Sequence, residues 1–296
     1  MTRPAVRVAP LPTGSAGRVA ELATAALWAD SGDAALVVRR LSTPPEGRRW
    51  VALGTPGLDG VVFASLGTGG AGHVDLLAVD PAARDRGIGR ALVLAAQDWL
   101  RAAGATEARF AGNPPCYGWP GIDVRYTPAA CLAESLGYER YSVAWNMTAD
   151  LVSGWNPASW DEEGELARLA AAGVSVRSIP RTERAEVSAF ARREWNERWA
   201  WEAEQATGCH QAVRDGEPLG FAAWGSRPNW FGPMGTAPAA RGLGVGRTLL
   251  RRCLAEQAAA GLRQVEIGWV GPLRFYSRAV AARAGRVFWL YRRRLD

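Results

Sequence analysis

Two stretches of this chain place one arginine and two glycines identically before an apolar-periodic run: Arg84-x-x-Gly87-x-Gly89 and Arg241-x-x-Gly244-x-Gly246. A glycine-bearing loop that opens a helix leaves backbone N–H groups unpaired at the positive end of the helix dipole. Glycine lets a ligand come close to that backbone. The chemistry on offer is anion binding, phosphate above all. The loops lack the Gly-Lys-Ser/Thr ending of a nucleotide phosphate loop. They also carry arginine where a dinucleotide fingerprint has its first glycine.

The two stretches align without a gap from Pro81 against Pro238 to Gly104 against Gly261. Self-similarity at one large offset points to a duplicated domain rather than a short-period solenoid. A chain of 296 residues holds two domains of ordinary size. The expected division is 1–149, a connector at 150–173 with a short helix, and 174–296. The Gly/Asn/Pro/Ser-rich stretch 148–164 marks that connector.

The elements that must position the loops repeat in the same order. In the first half they are a strand (5–11), helical spacing over 17–29 and 33–41, and a hairpin turning at Thr55-Pro56-Gly57. The strand 72–80 then runs into the first loop and a helix that Gly104 stops. A strand, a Pro/Gly-rich loop (113–127), a helix ending at Gly137 and a last strand complete the half. The second half has a strand, a long helix over 181–206, a hairpin turning at Asp215-Gly216, and a strand over 229–237 before the second loop. "RQVEIGWV" (263–270) reads as a further strand, 271–285 as a helix, and "RVFWLYRRR" as the last strand. The fold class is α/β (α+β), each half a mixed, mostly antiparallel sheet flanked by helices.

Composition excludes several classes. No apolar stretch reaches the roughly 18 residues a membrane helix needs, and the start lacks a secretory apolar block. Four scattered cysteines without a CxxC pair, with only His73 and His210 to join them, argue against a metal site and for a reducing, cytoplasmic location. All 35 basic residues are arginine. They are unevenly spread: residues 1–150 balance 14 Arg with 14 acidic residues, and 151–296 carry 21 against 15. An anionic ligand is favoured by the second half. Nucleic acid is not expected, because basic and aromatic residues are not interleaved on one surface.

Both glycine stretches, with "LLAVDPAARDRGIGRAL", the strand–helix order and "ESLGYER", resemble the R/Q-x-x-G-x-G/A signature of the GNAT acyltransferase superfamily, once per half. The likeness is to its tandem two-domain form, in which one half is catalytic and the other degenerate. It implies an N-acetyltransferase using acetyl-CoA as co-substrate, with no metal, in which the amine of a small molecule or peptide attacks the thioester directly. Its alternative is a non-catalytic acyl-CoA-binding protein with decayed sites. By position, the pyrophosphate would meet the loop amides of Arg84, Asp85, Arg86, Gly87, Ile88, Gly89 and Arg90. In the second half the corresponding residues are Arg241, Gly242, Leu243, Gly244, Val245, Gly246 and Arg247. The pantetheine arm would pair, as an added strand does, with Leu77, Ala78 and Val79, or with Met234, Gly235 and Thr236.

Members often protonate the leaving thiolate from a tyrosine on the helix after the fifth strand. "PLRFYSRAVA" puts Tyr276 there; the first half has Ala133. A fourth-strand carboxylate often acts as base. The first half has Asp75, with His73 on the same strand face, where the second half has Gly232 and Trp230. Glu266 is a further base candidate. Neither half carries both groups; the tyrosine and the charge favour the second as the catalytic one. Asp75 also reads as an ordinary polar strand residue, and Tyr276 as a core ring. Trp195, Trp199 and Trp201, or Tyr117, Trp119 and Asp123, would either wall an acceptor pocket or simply pack.

Overall fold

The computed structural model describes residues 5–227 and 229–295. Residues 1–4, part of the start read as lacking a secretory signal, lie outside that range, as do Pro228 and Asp296. Two compact units emerge: residues 1–144 with 287–296, and residues 145–286. These differ from the contiguous halves expected. Residues 145–149, placed in the first half, join the second unit, and 287–296, placed in the second half, join the first.

The first unit runs β1 (Ala9–Pro10), α1 (Ala16–Ala26), α2 (Ser31–Ser42), β2 (Trp50–Gly54), β3 (Gly60–Leu66), β4 (Ala71–Val79), α3 (Ile88–Ala102), β5 (Glu107–Phe110), β6 (Ile122–Asp123) and α4 (Thr127–Ser135). β1 to β4 are antiparallel neighbours, and β4 pairs with β5 in parallel. Alternation along β3 builds two layers. Val62 and Ala64 meet Leu92, Val93 and Ala96 of α3, while Val61 and Phe63 meet Val19 of α1 and Val37 of α2. α3 forms because Gly87 caps it at φ +82°, Ile88, Leu92, Val93, Ala96 and Leu100 fall on one face, and Gly104 ends it at φ +91°.

β7 (Glu139–Asp150) leads towards the second unit. There follow α5 (Glu162–Ala171), β8 (Ser175–Ser178), α6 (Arg184–Glu194), α7 (Glu197–Gln205), β9 (Gly208–Arg214), β10 (Glu217–Trp224), β11 (Trp230–Thr236), α8 (Val245–Ala259), β12 (Gln264–Ile267), α9 (Leu273–Val280) and β13 (Arg283–Arg294). β8 to β11 are antiparallel and β11–β12 parallel, as in the first unit. The expected long helix breaks at Trp195 because the Asn196 side chain caps α7, accepting from the Trp199 amide at 3.1 Å. The expected helix over 271–285 stops at Val280, where Ala281 turns left-handed (φ +52°).

Each sheet is completed from the distant half of the sequence. Tyr291 to Arg294 of β13 pair with Phe110 to Glu107 of β5. Met147 to Asp150 of β7 pair with Ile267 to Gln264 of β12. Phe288 and Tyr291 are fully buried in the first unit, so this tail is core rather than decoration.

Candidate active site

The parallel pairing of β4 with β5 covers only Ala71 to His73 against Glu107 to Arg109. Beyond it the strands part, and β4 carries a bulge. Phe63 faces Leu76 while the next residue, Ala64, faces Val74, so Asp75 is the extra residue. A bulge re-aims its side chain and bends the strand. The parting opens a cavity of about 470 Å³. Its walls include Val74–Val79 of β4, the loop residues Arg84, Asp85 and Gly87–Arg90, Phe110 of β5, and Trp119.

Asp75 lines this cavity. Its side chain is 3% exposed, with Oδ1 3.6 Å from Arg48 Nη2 and without a hydrogen-bond partner. Burial pushes its pKa up to about 7, against the opposing pull of Arg48 and a hydrogen bond from Ser65. His73 instead holds the frame: its Nδ1 lies 2.9 Å from the Ala111 carbonyl.

The other charged groups at the cavity are engaged. Arg84 donates to the Ala26 carbonyl (3.0 Å), and Arg90 to Ser135 Oγ (3.0 Å). Arg125 pairs with Asp123 through Nε and Nη2 at 2.9 and 2.8 Å. Tyr126 donates to Asp30 at 2.8 Å, and Trp119 Nε1 donates to the other Asp30 oxygen at 2.8 Å. These bonds fix the α1–α2 turn, with Trp28, at the cavity. Of the loop residues considered for an acceptor wall, Trp119 and Asp123 line the cavity; Tyr117 is buried outside its walls.

The second loop repeats the backbone with different surroundings. Gly244 caps α8 at φ +89°, and β11 bulges where Gly232 and Pro233 face the single residue Ala223. No carboxylate stands there. Arg168 of α5 donates to the Leu243 carbonyl at 2.9 Å. Glu165 of the same helix ion-pairs with Arg247 (3.0 Å) and Arg251 (2.6 Å) and accepts from Thr248 Oγ1 (2.9 Å). The chain's own carboxylate thus sits where an anion would be drawn. Trp195 packs over Gly235 and stacks on Trp199 with ring centroids 5.3 Å apart. These two tryptophans pack, partly buried, against a core cluster of the second unit.

Two sequence candidates lie away from the cavity. Tyr276 is buried against Phe231 and Phe275, and burial lifts its pKa to about 12. Glu266 accepts from Asn146 and pairs with Arg286 at 3.6 Å. Sequence reasoning missed Arg48, Ser65 and Asn113 around Asp75. The one usable signal was a serine inside the apolar run "GVVFASL". Among the described residues no group of three or more His, Cys, Asp or Glu side chains could hold a metal, and no helix is long and apolar enough to cross a membrane.

Helix-flanked sheets with splayed central strands and a glycine loop define an acyltransferase fold, found here twice. The model of the acetyltransferase (GNAT) family matches residues 25–116 and 175–285, and the chain belongs to that family. No curated protein matches it. Among solved structures, the tandem GNAT protein of the clavulanic acid biosynthesis pathway is 20% identical, with a TM-score of 0.68 and 99% of each chain covered. A GCN5-related N-acetyltransferase from Sphaerobacter thermophilus is 21% identical, with a TM-score of 0.66, covering 98% of this chain and 96% of that one. A glucosamine N-acetyltransferase region of a fungal multi-domain β-N-acetylglucosaminidase has a TM-score of 0.77 at 17% identity. This chain is 98% covered there but spans only 38% of that protein.

Proposed function

We infer that this protein is an acetyl-CoA-dependent N-acetyltransferase acting on a small amine, and that the first unit carries out the reaction. The observation that carries this reading is Asp75: a buried carboxylate with one oxygen that has no hydrogen-bond partner, on a strand bulge, in the wall of the cavity that the first glycine loop borders. The residues present fit the co-substrate. A Cβ on Gly87 would meet nothing within 4 Å, which leaves the loop amides of 84–90 approachable by a pyrophosphate. The edge of β4 beyond His73 is free of β5, so Leu77 to Val79 can pair with an amide-bearing arm. A backbone N–H of that strand would polarise the thioester carbonyl.

In the reaction the amine nitrogen forms a bond to the acetyl carbon as the carbon–sulfur bond breaks. Asp75, with a pKa near 7, takes the proton the nitrogen sheds. Ala133 offers no proton at the family's tyrosine position. An ordinary thiol ionises near about 8.5, so the thiolate departs and takes its proton from water. The second unit, with its loop neutralised by Glu165, serves as scaffold. Acetyl-CoA consumption across a panel of primary amines, with Asp75→Asn beside the unaltered chain, is the test. Consumption with no amine, or an unimpaired Asn variant, overturns the reading.

A further inference from the structure

We propose that Ser65, Arg48 and Asn113 are positioning residues that hold Asp75 ready to accept a proton, with Ser65 delivering its hydroxyl hydrogen to the carboxylate. This rests on the reading of Asp75 as the base.

The argument is one of hydrogen-bond supply. Ser65 Oγ lies 2.9 Å from Arg48 Nη2 and 2.9 Å from Asn113 Nδ2. Both groups can only donate, so both lone pairs of the hydroxyl are taken. Its single proton must point elsewhere, and the carboxylate of Asp75 is close by: Arg48 Nη2, 2.9 Å from Ser65 Oγ, is also 3.6 Å from Asp75 Oδ1. The asparagine's orientation is fixed as well: Nδ2 also reaches the Leu66 carbonyl at 3.1 Å, which can only accept. Arg48 is pinned by a second bond, from Nη1 to the Asn113 carbonyl at 3.0 Å. Every member is buried: Ser65 is 0% and Asn113 6% exposed, and the Arg48 side chain 9%. A fully buried serine on an apolar strand, ringed by two donors, has no packing reason to be polar. It has an electrostatic one: it adds to the pull of Arg48, whose Nη2 is 3.6 Å from Oδ1, and leaves that oxygen without a hydrogen bond.

Other groups near Asp75 do not replace this device. Cys116 feels the Asp75 charge, but burial pushes its thiol pKa up and keeps it neutral, while its Sγ donates to the Arg40 carbonyl at 3.1 Å. His73, on the same strand, is tied to Ala111. Across the cavity Asp123 is matched by Arg125, Asp30 is bonded by Tyr126 and Trp119, and Arg84 is held at Ala26.

The test is carboxylate titration by carbon-13 NMR on the full chain, with Asp75 assigned from Asp75→Asn. Ser65→Ala should move the Asp75 midpoint upward by on the order of one pH unit, and Asn113→Ala, which keeps Ser65 and Arg48, by less. In acetyl transfer to benzylamine or another accepted amine, the acidic limb should move up by the same amount while the high-pH plateau stays. A merely structural role would lower the rate equally at every pH. An unmoved midpoint in both folded variants overturns the proposal even if Asp75 proves to be the base. A moved midpoint with an active Asp75→Asn enzyme would retain the relay and reject the base.

Discussion

Arg168 closes over Gly244. A Cβ on that glycine would lie 2.9 Å from the guanidinium, whereas the same atom on Gly87 would meet nothing. The two loops share their left-handed glycine caps, yet one is open and the other covered. One acetyl-CoA should therefore bind per chain. Isothermal calorimetry should return a single site that Gly87→Glu removes by charge and bulk. Gly244→Glu should leave affinity intact while lowering Tm, since φ there disfavours any side chain. Two equal sites would contradict this.

Asp75→Asn should lower kcat by roughly 10²–10⁴-fold with little change in acetyl-CoA affinity. The unaltered enzyme should lose activity as pH falls through about 7. Stability has its own signature. The folded pKa of Asp75 is raised above its unfolded value, so its contribution is present below about 3.8 and lost as pH rises through about 7. A Tm series from pH 4 to 8 should slope less in the Asn variant.

Tyr276→Phe should keep acetyl transfer within about twofold, because the ring packs in the core of the second unit and takes no part at the cavity. Steady-state kinetics decides it. A loss of a hundredfold would return the chemistry to the second half.

How far the sequence speaks can be judged from these residues. The glycine loops, their helices and the duplication were readable because they are local: spacing, caps and apolar period lie within about twenty residues. Asp75 was readable by its strand position. That Tyr276 faces a core, that Glu165 pairs with Arg247 and Arg251 of α8, and that Ser65 meets Arg48 and Asn113 depend on contacts between residues 17 to 86 positions apart. Charge counts likewise leave out which arginines pair within the chain. Arginine excess in the second half suggested an anionic ligand, but Arg247 and Arg251 answer to Glu165 within the chain.

Removing residues 287–296 should unfold the first unit, since β5 loses its antiparallel partner and the core loses Phe288, Leu290, Tyr291 and Leu295. Acetyl-CoA binding should vanish with it. Conversely, a protease nick between residues 151 and 161 should leave both fragments eluting together on size exclusion, each holding strand residues that the other's sheet requires.

The exchanged end strands also set an order of events at the ribosome. Residues 1–144 emerge first, but the sheet that bears Asp75 keeps β5 as a bare edge until residues 287–294 have been made. For the whole interval in which the second unit is being synthesised, the first is an unfinished fold with exposed backbone donors and acceptors, the condition in which strands find wrong partners. The second unit needs only residues 145–150 from upstream, already in hand when its own strands appear. In the first unit, β5 gains its antiparallel partner last. A nascent chain stalled before residue 287 would leave β5 without its antiparallel partner.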